Sequence, residues 1–462
     1  MKHAQLRRLA ENYQGAGPRY TSYPTAVEFD DSVRSELWQA QLSEDVSTRP
    51  EANTALYLHV PFCKSLCYFC ACSKLIDPKL ENLDLFLNAA CKELSTYAAL
   101  ISNKTNICQI HLGGGTPSFL PAHAIDLLCD KIDTLAASRA KNAEISVEID
   151  PRTSSREQLH HFRDRGFNRV SFGVQDFNPT VQQIVNRNQT LEQTQSVYDA
   201  ARDLGFSGIN MDLIYGLPGQ TQENFQKTIH SVIELRPDRI ALYAYAHVTW
   251  IKKVQKAMRR VHIPTPTERI SFFEYAIEQL EAAGYQYIGL DHFALPEDAL
   301  SIALREGRLS RNFMGYTTHR GARILGIGPS AISSVPNAMA QNIKPLNEYA
   351  SAIANSGSAI ERGVILERDD MLRAAIIQDI MCVGSINLST FENLYDISFW
   401  DYFHKEQPQL KALELDGLLS VGDRVLQLSE VGRIFSRNVA MVFDSYLETH
   451  QKAEKPVFSQ TV

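Results

Sequence analysis

Between residues 54 and 290, short apolar runs rich in β-branched residues alternate with longer segments in which apolar residues recur every three or four positions. This pattern predicts strands alternating with amphipathic helices, which is typical of βα units around a parallel sheet. The predicted strands are residues 54–60, 109–112, 144–149, 169–174, 208–214 and 239–245, and the predicted helices are residues 80–100, 123–137, 156–165, 191–204 and 222–235. The pattern therefore indicates an α/β fold with six repeats.

Polar and glycine-rich residues stand where the predicted strands end, at residues 113–117, 148–152, 175–176 and 212–218. In a βα barrel the carboxyl ends of the strands converge on one face, so we expect the chemistry there.

The remaining segments predict further units. We expect an N-terminal arm at residues 1–50, a βα barrel with late strands at 51–335, a linker at 336–360 and a helical C-terminal domain at 361–462. The late strands are residues 287–293 and 324–327. Helices around a hairpin at 417–428 give the last unit a likeness to a winged helix, which we expect to be a lid or docking unit.

Composition and charge exclude several classes of protein. The chain has 462 residues, of which 44% are hydrophobic, enough to bury a full core. Lys and Arg number 46 against 53 Asp and Glu, a net charge of −7, so we expect no nucleic-acid partner. The sequence has neither a run of about 20 apolar residues nor the apolar region of a secretory signal, so we expect a cytoplasmic protein without a membrane span.

Four of the eight cysteines lie within ten residues, directly after the first predicted strand. Cys63, Cys67 and Cys70 have the spacing C-x3-C-x2-C, and Cys72 follows. Three thiolates can hold three irons of a four-iron cluster and leave the fourth iron open for chemistry. A structural zinc site is the alternative, but it favours a second C-x2-C or histidine pair, and no such pair follows.

This cysteine motif on the loop after the first strand resembles the radical S-adenosylmethionine (radical SAM) superfamily. The run Gly113-Gly114-Gly115-Thr116-Pro117, one βα unit later, fits the same resemblance. The resemblance implies a partial (β/α)6 barrel, a [4Fe-4S] cluster whose open iron binds SAM, and reductive cleavage of SAM to a 5′-deoxyadenosyl radical.

Further segments resemble the oxygen-independent coproporphyrinogen III oxidase (coproporphyrinogen III dehydrogenase) family of haem biosynthesis. They are residues 17–25, 148–152, 171–177, 185–187, 210–218, 245–247, 291–293, 311–318 and 326–332. This resemblance implies an oxidoreductase of porphyrin biosynthesis that decarboxylates two propionates of coproporphyrinogen III to vinyl groups, giving protoporphyrinogen IX.

The resemblance also implies roles for single residues. Cys63, Cys67 and Cys70 would ligate the cluster. Those around the SAM bound to it would be Tyr57, Gly114, Glu148, Gln175, Arg187, Asp212, Ala246 and Ile332. Phe69, Gly115 and Thr116 match positions beside a second SAM molecule. Cys72, which occupies the family's fourth-cysteine position outside the ligand set, would be catalytic together with Tyr57 and Glu148.

The implied partners are a tetrapyrrole with four propionates, an electron-donor protein and an electron acceptor. We expect the chain itself to be a monomer. Because a primary radical attacks most neighbouring C–H bonds, the mouth of the barrel must exclude water. We expect the segment around Arg19, Tyr20 and Tyr23 to cover this mouth, and Arg19 or Arg311 to contact a propionate.

Two departures from the family pattern keep alternatives open. His319 stands where the family usually has glutamine, and Thr249 where it has proline. His319 could alter second-SAM placement or substrate choice. The alternatives are a haem-binding chaperone-like relative, and a radical SAM paralogue that degrades haem or transfers a methyl group.

Overall fold

The computed structural model describes residues 2–461 except residue 77, residue 102, residues 136–137 and residues 452–456. Its strands are β1 (Asn53–Val60), β2 (Phe62–Cys63), β3 (Leu75–Ile76), β4 (Asn106–Gly114), β5 (Ser138–Ile149), β6 (Arg169–Gln175), β7 (Gly208–Tyr215), β8 (Arg239–Ala244), β9 (Gln286–Gly289), β10 (His292–Ala294), β11 (Ser310–Asn312), β12 (Gly315–Thr317), β13 (Arg323–Ile327), β14 (Ile332–Val335), β15 (Ala338–Asn342), β16 (Ile360–Ile365), β17 (Ser385–Asn387), β18 (Leu419–Val421) and β19 (Val425–Leu428).

The helices are α1 (Lys2–Asn12), α2 (Ser35–Thr48), α3 (Leu80–Leu100), α4 (Ala122–Asp133), α5 (Arg156–Asp164), α6 (Pro179–Ile184), α7 (Leu191–Asp203), α8 (Gln222–Leu235), α9 (Pro266–Ala282), α10 (Ala299–Arg305), α11 (Leu346–Ser356), α12 (Arg368–Cys382), α13 (Leu388–Tyr395), α14 (Phe399–Tyr402), α15 (Gln407–Leu415), α16 (Glu430–Ile434), α17 (Ser436–Ala440) and α18 (Leu447–Gln451). The end of the predicted helix 123–137 and parts of the predicted terminal units, Met1 and residues 452–456 and 462, lie outside the described residues.

Six parallel strands form the centre of the largest sheet. Within the described residues this sheet has twelve strands, in the order β16, β15, β14, β13, β1, β4, β5, β6, β7, β8, β10, β9. The six from β1 to β8 are neighbours in chain order and parallel, and a helix connects each to the next. The predicted α/β fold with six βα repeats is therefore confirmed. Five predicted strands lie within observed ones, and the sixth, 239–245, extends one residue beyond the end of β8.

Several helices begin at capping residues that the sequence supplies. Thr221 accepts a hydrogen bond from the backbone of Asn224, whose side chain accepts one from the backbone of Thr221, which starts α8. Thr265 and Glu268 form the same reciprocal arrangement at the start of α9. These bonds satisfy backbone donors that have no partner inside the first turn, so they define where each helix starts.

Residues 336–360 are part of the sheet, which corrects the predicted linker. They contain β15 and α11, and β13 to β16 extend the sheet on the side of β1 opposite β4. β13 is parallel to β1, and β14, β15 and β16 are each antiparallel to their neighbour. Residues 338–342 lack β-branched side chains, so pairing with β14 and β16 specifies this strand rather than its local sequence.

A second hydrophobic core contains most of the buried apolar residues from α12 onward, together with residues of α1, β9 and α10. Its helices pack around the three-stranded sheet β17–β19–β18, in which β18 and β19 form the predicted hairpin. The expected helical C-terminal region is confirmed. None of the described helices is long and apolar enough to cross a membrane.

The N-terminal arm contacts both cores. Trp38 of α2 is buried in the core of the large sheet, whereas Leu9 of α1 is buried in the C-terminal core. The hydroxyl of Tyr20 donates to Asp444 at 2.9 Å, and the hydroxyl of Tyr23 lies 2.9 Å from that of Ser445. Both tyrosines therefore hold the arm to the C-terminal domain.

A buried ion pair joins the arm to the sheet. Arg323, on β13, is fully buried and contacts Asp45 of α2, with its Nε 2.7 Å and its Nη2 2.6 Å from Oδ2. Its Nη1 also donates to the hydroxyl of Thr54 on β1 at 3.2 Å. One guanidinium on β13 thus connects to α2 and β1, which lie far from β13 in sequence.

We predict that Asp45→Asn lowers the free energy of unfolding by about 3 kcal/mol, because it leaves the buried Arg323 charge without its carboxylate. Asp203→Asn is the matched control, since Asp203 pairs with Arg156 at the surface and such pairs contribute at most about 1 kcal/mol. Equilibrium urea unfolding measures both. Equal losses in the two variants would contradict the importance of the buried pair.

Candidate active site

Polar side chains occupy alternate positions on the inner face of the parallel strands. They include Gln109 and His111 on β4, Glu144, Ser146 and Glu148 on β5, Arg169 and Ser171 on β6, Asn210 and Asp212 on β7, and Arg239 and Tyr243 on β8. Alternation follows from strand geometry, in which successive side chains point to opposite faces. The other faces carry apolar residues such as Val147, Phe172 and Met211, which are buried under the helices.

The four clustered cysteines open into one cavity at the carboxyl ends of these strands. This cysteine cavity has a volume of about 320 Å³ and is lined by Cys63, Cys67, Cys70 and Cys72 together with polar residues from β5, β6 and β7. Cys63 ends β2, which pairs with β3 and so closes the loop between them. Asn186 holds the middle of that loop, since its side chain donates to the carbonyl of Leu66 at 2.7 Å.

Hydrogen-bond donors surround the cysteine sulfurs. The Sγ of Cys67 lies 3.5 Å from Nη1 of Arg187 and 3.7 Å from Nη2 of Arg152. The hydroxyl of Thr116 donates to the Sγ of Cys63 at 3.4 Å. Both donors to Cys67 are guanidinium groups, so two cationic side chains approach this sulfur.

The thiols do not share one electrostatic environment. Burial raises the pKa of Cys63, and the hydrogen bond from Thr116 offsets part of that rise. A hydrogen bond from the thiol of Cys72, with the nearby Lys74 ammonium, lowers the pKa of Cys70 to about 5. In the described part of the chain, no group of three or more His, Cys, Asp or Glu side chains converges on a point suited to a metal ion. Cluster ligands instead spread over separate irons.

The glycine-rich residues 113–117, here called the glycine loop, lie directly against the loop between β2 and β3 that carries the cysteines, here called the cysteine loop. The amide of Gly115 donates to the carbonyl of Val60 at 2.8 Å, and the amide of Thr116 donates to that of Phe62 at 2.7 Å. A Cβ at Gly115 would lie 2.6 Å from the Phe62 oxygen, and one at Gly114 would lie 2.5 Å from the ring of His59. Only glycine fits these two positions, and Gly114 also has a φ of +107°.

Glu148 links the glycine loop to the aromatic residues of the interior. Its Oε2 accepts a hydrogen bond from the Gly114 amide at 3.1 Å, and its Oε1 lies 3.4 Å from Nε2 of His111. The His111 ring stacks on Tyr57, whose hydroxyl is 3.0 Å from Nδ1 of His59. Burial, followed by the charge of Glu148, raises the pKa of Tyr57, so this hydroxyl stays protonated.

Arg187 lies at the centre of a buried charge network. Its guanidinium contacts Asp150 at 3.4 Å, and Asp150 also pairs with Arg152 at 2.7 Å. Arg187 follows Asn186, whose φ of +56° turns the chain sharply into the site, and Gln175 at the end of β6 has a φ of +69°. Strained backbone at two site residues is typical of functional positions.

Asp212 has an environment suited to binding a polar ligand. Its carboxylate accepts hydrogen bonds from Asn210 at 2.8 Å and Ser171 at 3.1 Å. Burial, with the charge of Glu148, raises the pKa of Asp212 to about 6.

The structure brings most of the predicted site residues together. Those that line the cysteine cavity are Cys63, Cys67, Phe69, Cys70, Cys72, Gly114, Gly115, Thr116, Glu148, Gln175, Arg187 and Asp212. Tyr57 lies beside the cavity, against His111 and near Glu148. Ala246 lines a neighbouring cavity beyond β8, and Ile332 starts β14, on the far side of β1.

Several site residues were not among the predicted ones. Arg152 and Asp150 lie within a segment used for the resemblance, but their contacts with Cys67 and Arg187 depend on tertiary structure. Tyr243 and His111 lie at inward positions of predicted strands, so the two-residue period of those strands could have identified them.

The deeper part of the interior is a polar chamber of about 130 Å³ that shares Glu148, Asp212 and Tyr243 with the cysteine cavity. Its floor is an ion network in which burial opposes ionisation of Glu144, but Arg239 and Arg169 hold the pKa of that carboxyl at about 2. His319 lies near Glu144, and burial lowers its pKa. His319 is therefore at the floor, away from the predicted second-SAM residues.

Comparison with family models identifies two regions of the chain. Residues 57–232 match the radical SAM superfamily, and residues 366–435 match the HemN C-terminal domain. The first match contains the cysteine loop, the glycine loop and the strands that end at the cysteine cavity.

Curated relatives match over nearly the whole chain. The oxygen-independent coproporphyrinogen III oxidase of Escherichia coli K12 is 40% identical over 454 residues, 98% of both chains. The protein of the same description from Helicobacter pylori J99 is 39% identical over 95% of this chain and 96% of its own, and that from Synechocystis is 39% identical over 98% and 97%.

A solved structure shares the fold. Coproporphyrinogen III oxidase (HemN) from Escherichia coli, described as a radical SAM enzyme, superposes with a TM-score of 0.88 at 40% identity. The superposition covers 93% of this chain and 97% of that one.

We predict that Gly115→Ala lowers SAM affinity by about tenfold or more, because its Cβ forces the glycine loop away from Val60 and Phe62. Equilibrium dialysis with labelled SAM measures the change. Gly15→Ala is the control, since a Cβ at Gly15 meets no atom within 4 Å. An unchanged affinity in Gly115→Ala would contradict the placement of SAM against this loop.

We predict that SAM affinity falls as pH is lowered through about 6, the pKa of Asp212. Because this pKa is raised, the Asp212 carboxylate, which would accept hydrogen bonds from SAM, is present above about pH 6 and is lost below it. Asp212→Asn should bind more weakly at pH 8 and lack this step. A step of the same size in the variant would assign the titration to another group.

Proposed function

The chain belongs to the oxygen-independent coproporphyrinogen III oxidase family of radical SAM enzymes, and from this premise we propose that it decarboxylates two propionates of coproporphyrinogen III to vinyl groups, giving protoporphyrinogen IX. The observation that carries the proposal is the cysteine cavity, where three thiols with cluster spacing and the polar ends of β5, β6 and β7 line one space.

Cys63, Cys67 and Cys70 would hold a [4Fe-4S] cluster. When bound, the cluster supplies an open iron that binds SAM and the electron that cleaves SAM to a 5′-deoxyadenosyl radical. Arg152 and Arg187 donate to the sulfur of Cys67, and Thr116 donates to that of Cys63. The donor set of the cavity therefore fits a cluster with three protein ligands.

The ligand side of the cavity fits SAM. Its roughly 320 Å³ combines a cation at Arg187, carboxylates at Glu148 and Asp212, and glycines that allow close approach. Arg187 can pair with the methionyl carboxylate, while Glu148 and Asp212 accept from ammonium or hydroxyl groups. We infer a second SAM beside Phe69, Gly115 and Thr116, because two propionates require two radicals.

We assign catalytic roles to Cys72, Tyr57 and Glu148. Cys72 donates its thiol hydrogen bond to Cys70, and the charge of Glu148 also helps to keep the Cys72 thiol protonated. It is thus a proton-carrying group at the rim of the cluster site. Tyr57 also stays protonated, and Glu148 orients the glycine loop through the Gly114 amide.

The partners follow from the reaction. We propose that an electron-donor protein reduces the cluster, that a separate acceptor takes the electron left after loss of carbon dioxide, and that the chain acts as a monomer in the cytoplasm. All eight cysteines are free thiols, as expected in a reducing compartment. The net charge of −7 gives no support for a nucleic-acid partner.

The whole-chain relatives support the oxidase over a haem-binding chaperone or a paralogue acting on another tetrapyrrole. The departures at His319 and Thr249 do not change this conclusion. His319 lies at the floor near Glu144, and the side chain of Thr249 is absent from the lining of the cysteine cavity.

We predict that anoxically reconstituted protein, given coproporphyrinogen III, SAM and a reductant, forms the divinyl product with two deoxyadenosines per product. Mass spectrometry follows both. Cys70→Ser should lose iron and activity together because it removes a cluster ligand, whereas Cys91→Ser, outside the cysteine loop, should keep both.

Each negative outcome of this assay points to a different alternative function. Deoxyadenosine without decarboxylated product would indicate a paralogue with another substrate. Stoichiometric haem binding without deoxyadenosine would indicate a chaperone. Cys72→Ser is informative beside them, since it should retain iron and lose vinyl product.

A further inference from the structure

A second large cavity adjoins the cysteine cavity beyond the end of β8. We call it the arginine chamber; it has a volume of about 500 Å³ and is bounded by residues 244–250, the start of α9 and both ends of the chain. Its apolar walls are Tyr245, Trp250, Ile263, Pro264 and Phe458. A concave, largely apolar space with a few polar groups is typical of a binding site for an organic molecule.

Three arginines, Arg19, Arg269 and Arg437, line this chamber, and no Asp or Glu lies among its described lining residues. In a chain with a net charge of −7 this is a local concentration of positive charge. Positive charge surrounded by apolar walls favours an anionic ligand, because the low dielectric strengthens the attraction.

Arg437 has a structural task in the chamber. Its guanidinium donates to the backbone carbonyls of Gly17, Pro18, Gln460 and Thr461, and so fixes both chain ends as walls. Burial, and next the charge of Arg19, lowers the pKa of Arg437 to about 9. The ordering of these termini therefore places Arg19 near Arg437, and the carboxylate that pairs with Arg19, Asp291, is not among the lining residues.

Arg269 and Arg19 have donor capacity left for a ligand. The buried Nε of Arg269 has no hydrogen-bond partner among the described residues. Arg19 pairs with Asp291, yet 32% of its side-chain surface remains accessible. A buried donor without a partner costs free energy, which a bound carboxylate would recover.

The arginine chamber lies within reach of the chemistry. The Arg19 guanidinium is 5.5 Å from the ring centroid of Tyr243, and Tyr243 lines the cysteine cavity. Ala246, at the chamber wall, is one of the residues assigned to SAM. Arg311 is different, since it is buried over Tyr316 and does not line the chamber.

We propose that the arginine chamber binds the tetracarboxylate tetrapyrrole, with Arg19 and Arg269 pairing with its carboxylates and Tyr245 and Trp250 packing against its pyrrole rings. This assignment rests on the proposed function and adds the residues that select the substrate. Arg19, at the border of the two cavities, holds a carboxylate on the side that faces the cysteine cavity.

Binding of coproporphyrin III, the stable oxidised form of the substrate, to the reconstituted protein with SAM tests the proposal. Fluorescence anisotropy gives its affinity, and the tetramethyl ester serves as an uncharged probe of the same ring. Arg269→Gln and Arg19→Gln should each weaken coproporphyrin III binding by about tenfold or more and leave ester binding unchanged. Arg156→Gln, at an exposed surface pair, is the control.

Deoxyadenosine formation without substrate shows that the variants keep cluster and SAM, so a folding defect is recognised separately, and Arg269→Lys should retain part of the affinity. If the wild type binds coproporphyrin III and both glutamine variants bind it equally well, the chamber assignment is overturned while the proposed function stands. Equal losses for the acid and the ester would also overturn carboxylate pairing. A wild type that neither binds nor converts a tetracarboxylate would overturn the proposed function, and with it the assignment.

Discussion

As cluster ligands, Cys63, Cys67 and Cys70 would carry negative charge, and the site depends on how the fold compensates that charge. Arg152 and Arg187 approach Cys67, and Asp150 holds both guanidiniums in place. Neither arginine is near the cysteine loop in sequence, so the compensation exists only when β5 and the turn after α6 are docked. Because Asn186 also binds the cysteine loop directly, loop geometry and charge balance arise from the same turn.

The inner face of the parallel strands has different roles at the two ends of the strands. Near the amino ends, Glu144 is neutralised by Arg169 and Arg239, and this ion network closes the floor. Four residues further along β5, Glu148 forms no ion pair with an arginine among the described residues and accepts from Gly114 instead. The same inward-facing positions thus stabilise the structure at one end and present acceptors to a ligand at the other, as expected when parallel strands carry chemistry at their carboxyl ends.

Features that depend on local periodicity and residue spacing could be predicted from the sequence alone. The six strands, the three cysteines and the glycine loop each have a signal within a few residues. Residues 338–342 have none, because an Ala-Met-Ala-Gln-Asn strand is specified by its neighbours in the sheet. The contact of Arg152 with Cys67 also has no local signal, because it spans 85 positions. Nor does the contact of Tyr20 with Asp444 of the C-terminal domain, a residue that the hypothesis about the barrel mouth did not include.

Arg437 connects the C-terminal domain to the N-terminal arm beside the barrel. Open strand ends alone would leave a radical exposed to water on the side of β8. Arg437, on α17, binds carbonyls of Gly17 and Pro18, and Arg19 directly follows them in the chain. The C-terminal domain therefore helps to set the position of Arg19, whose guanidinium lies 5.5 Å from the ring centroid of Tyr243 in the barrel. The contacts that place Arg19 beside the barrel are thus the same ones that form a wall of the arginine chamber.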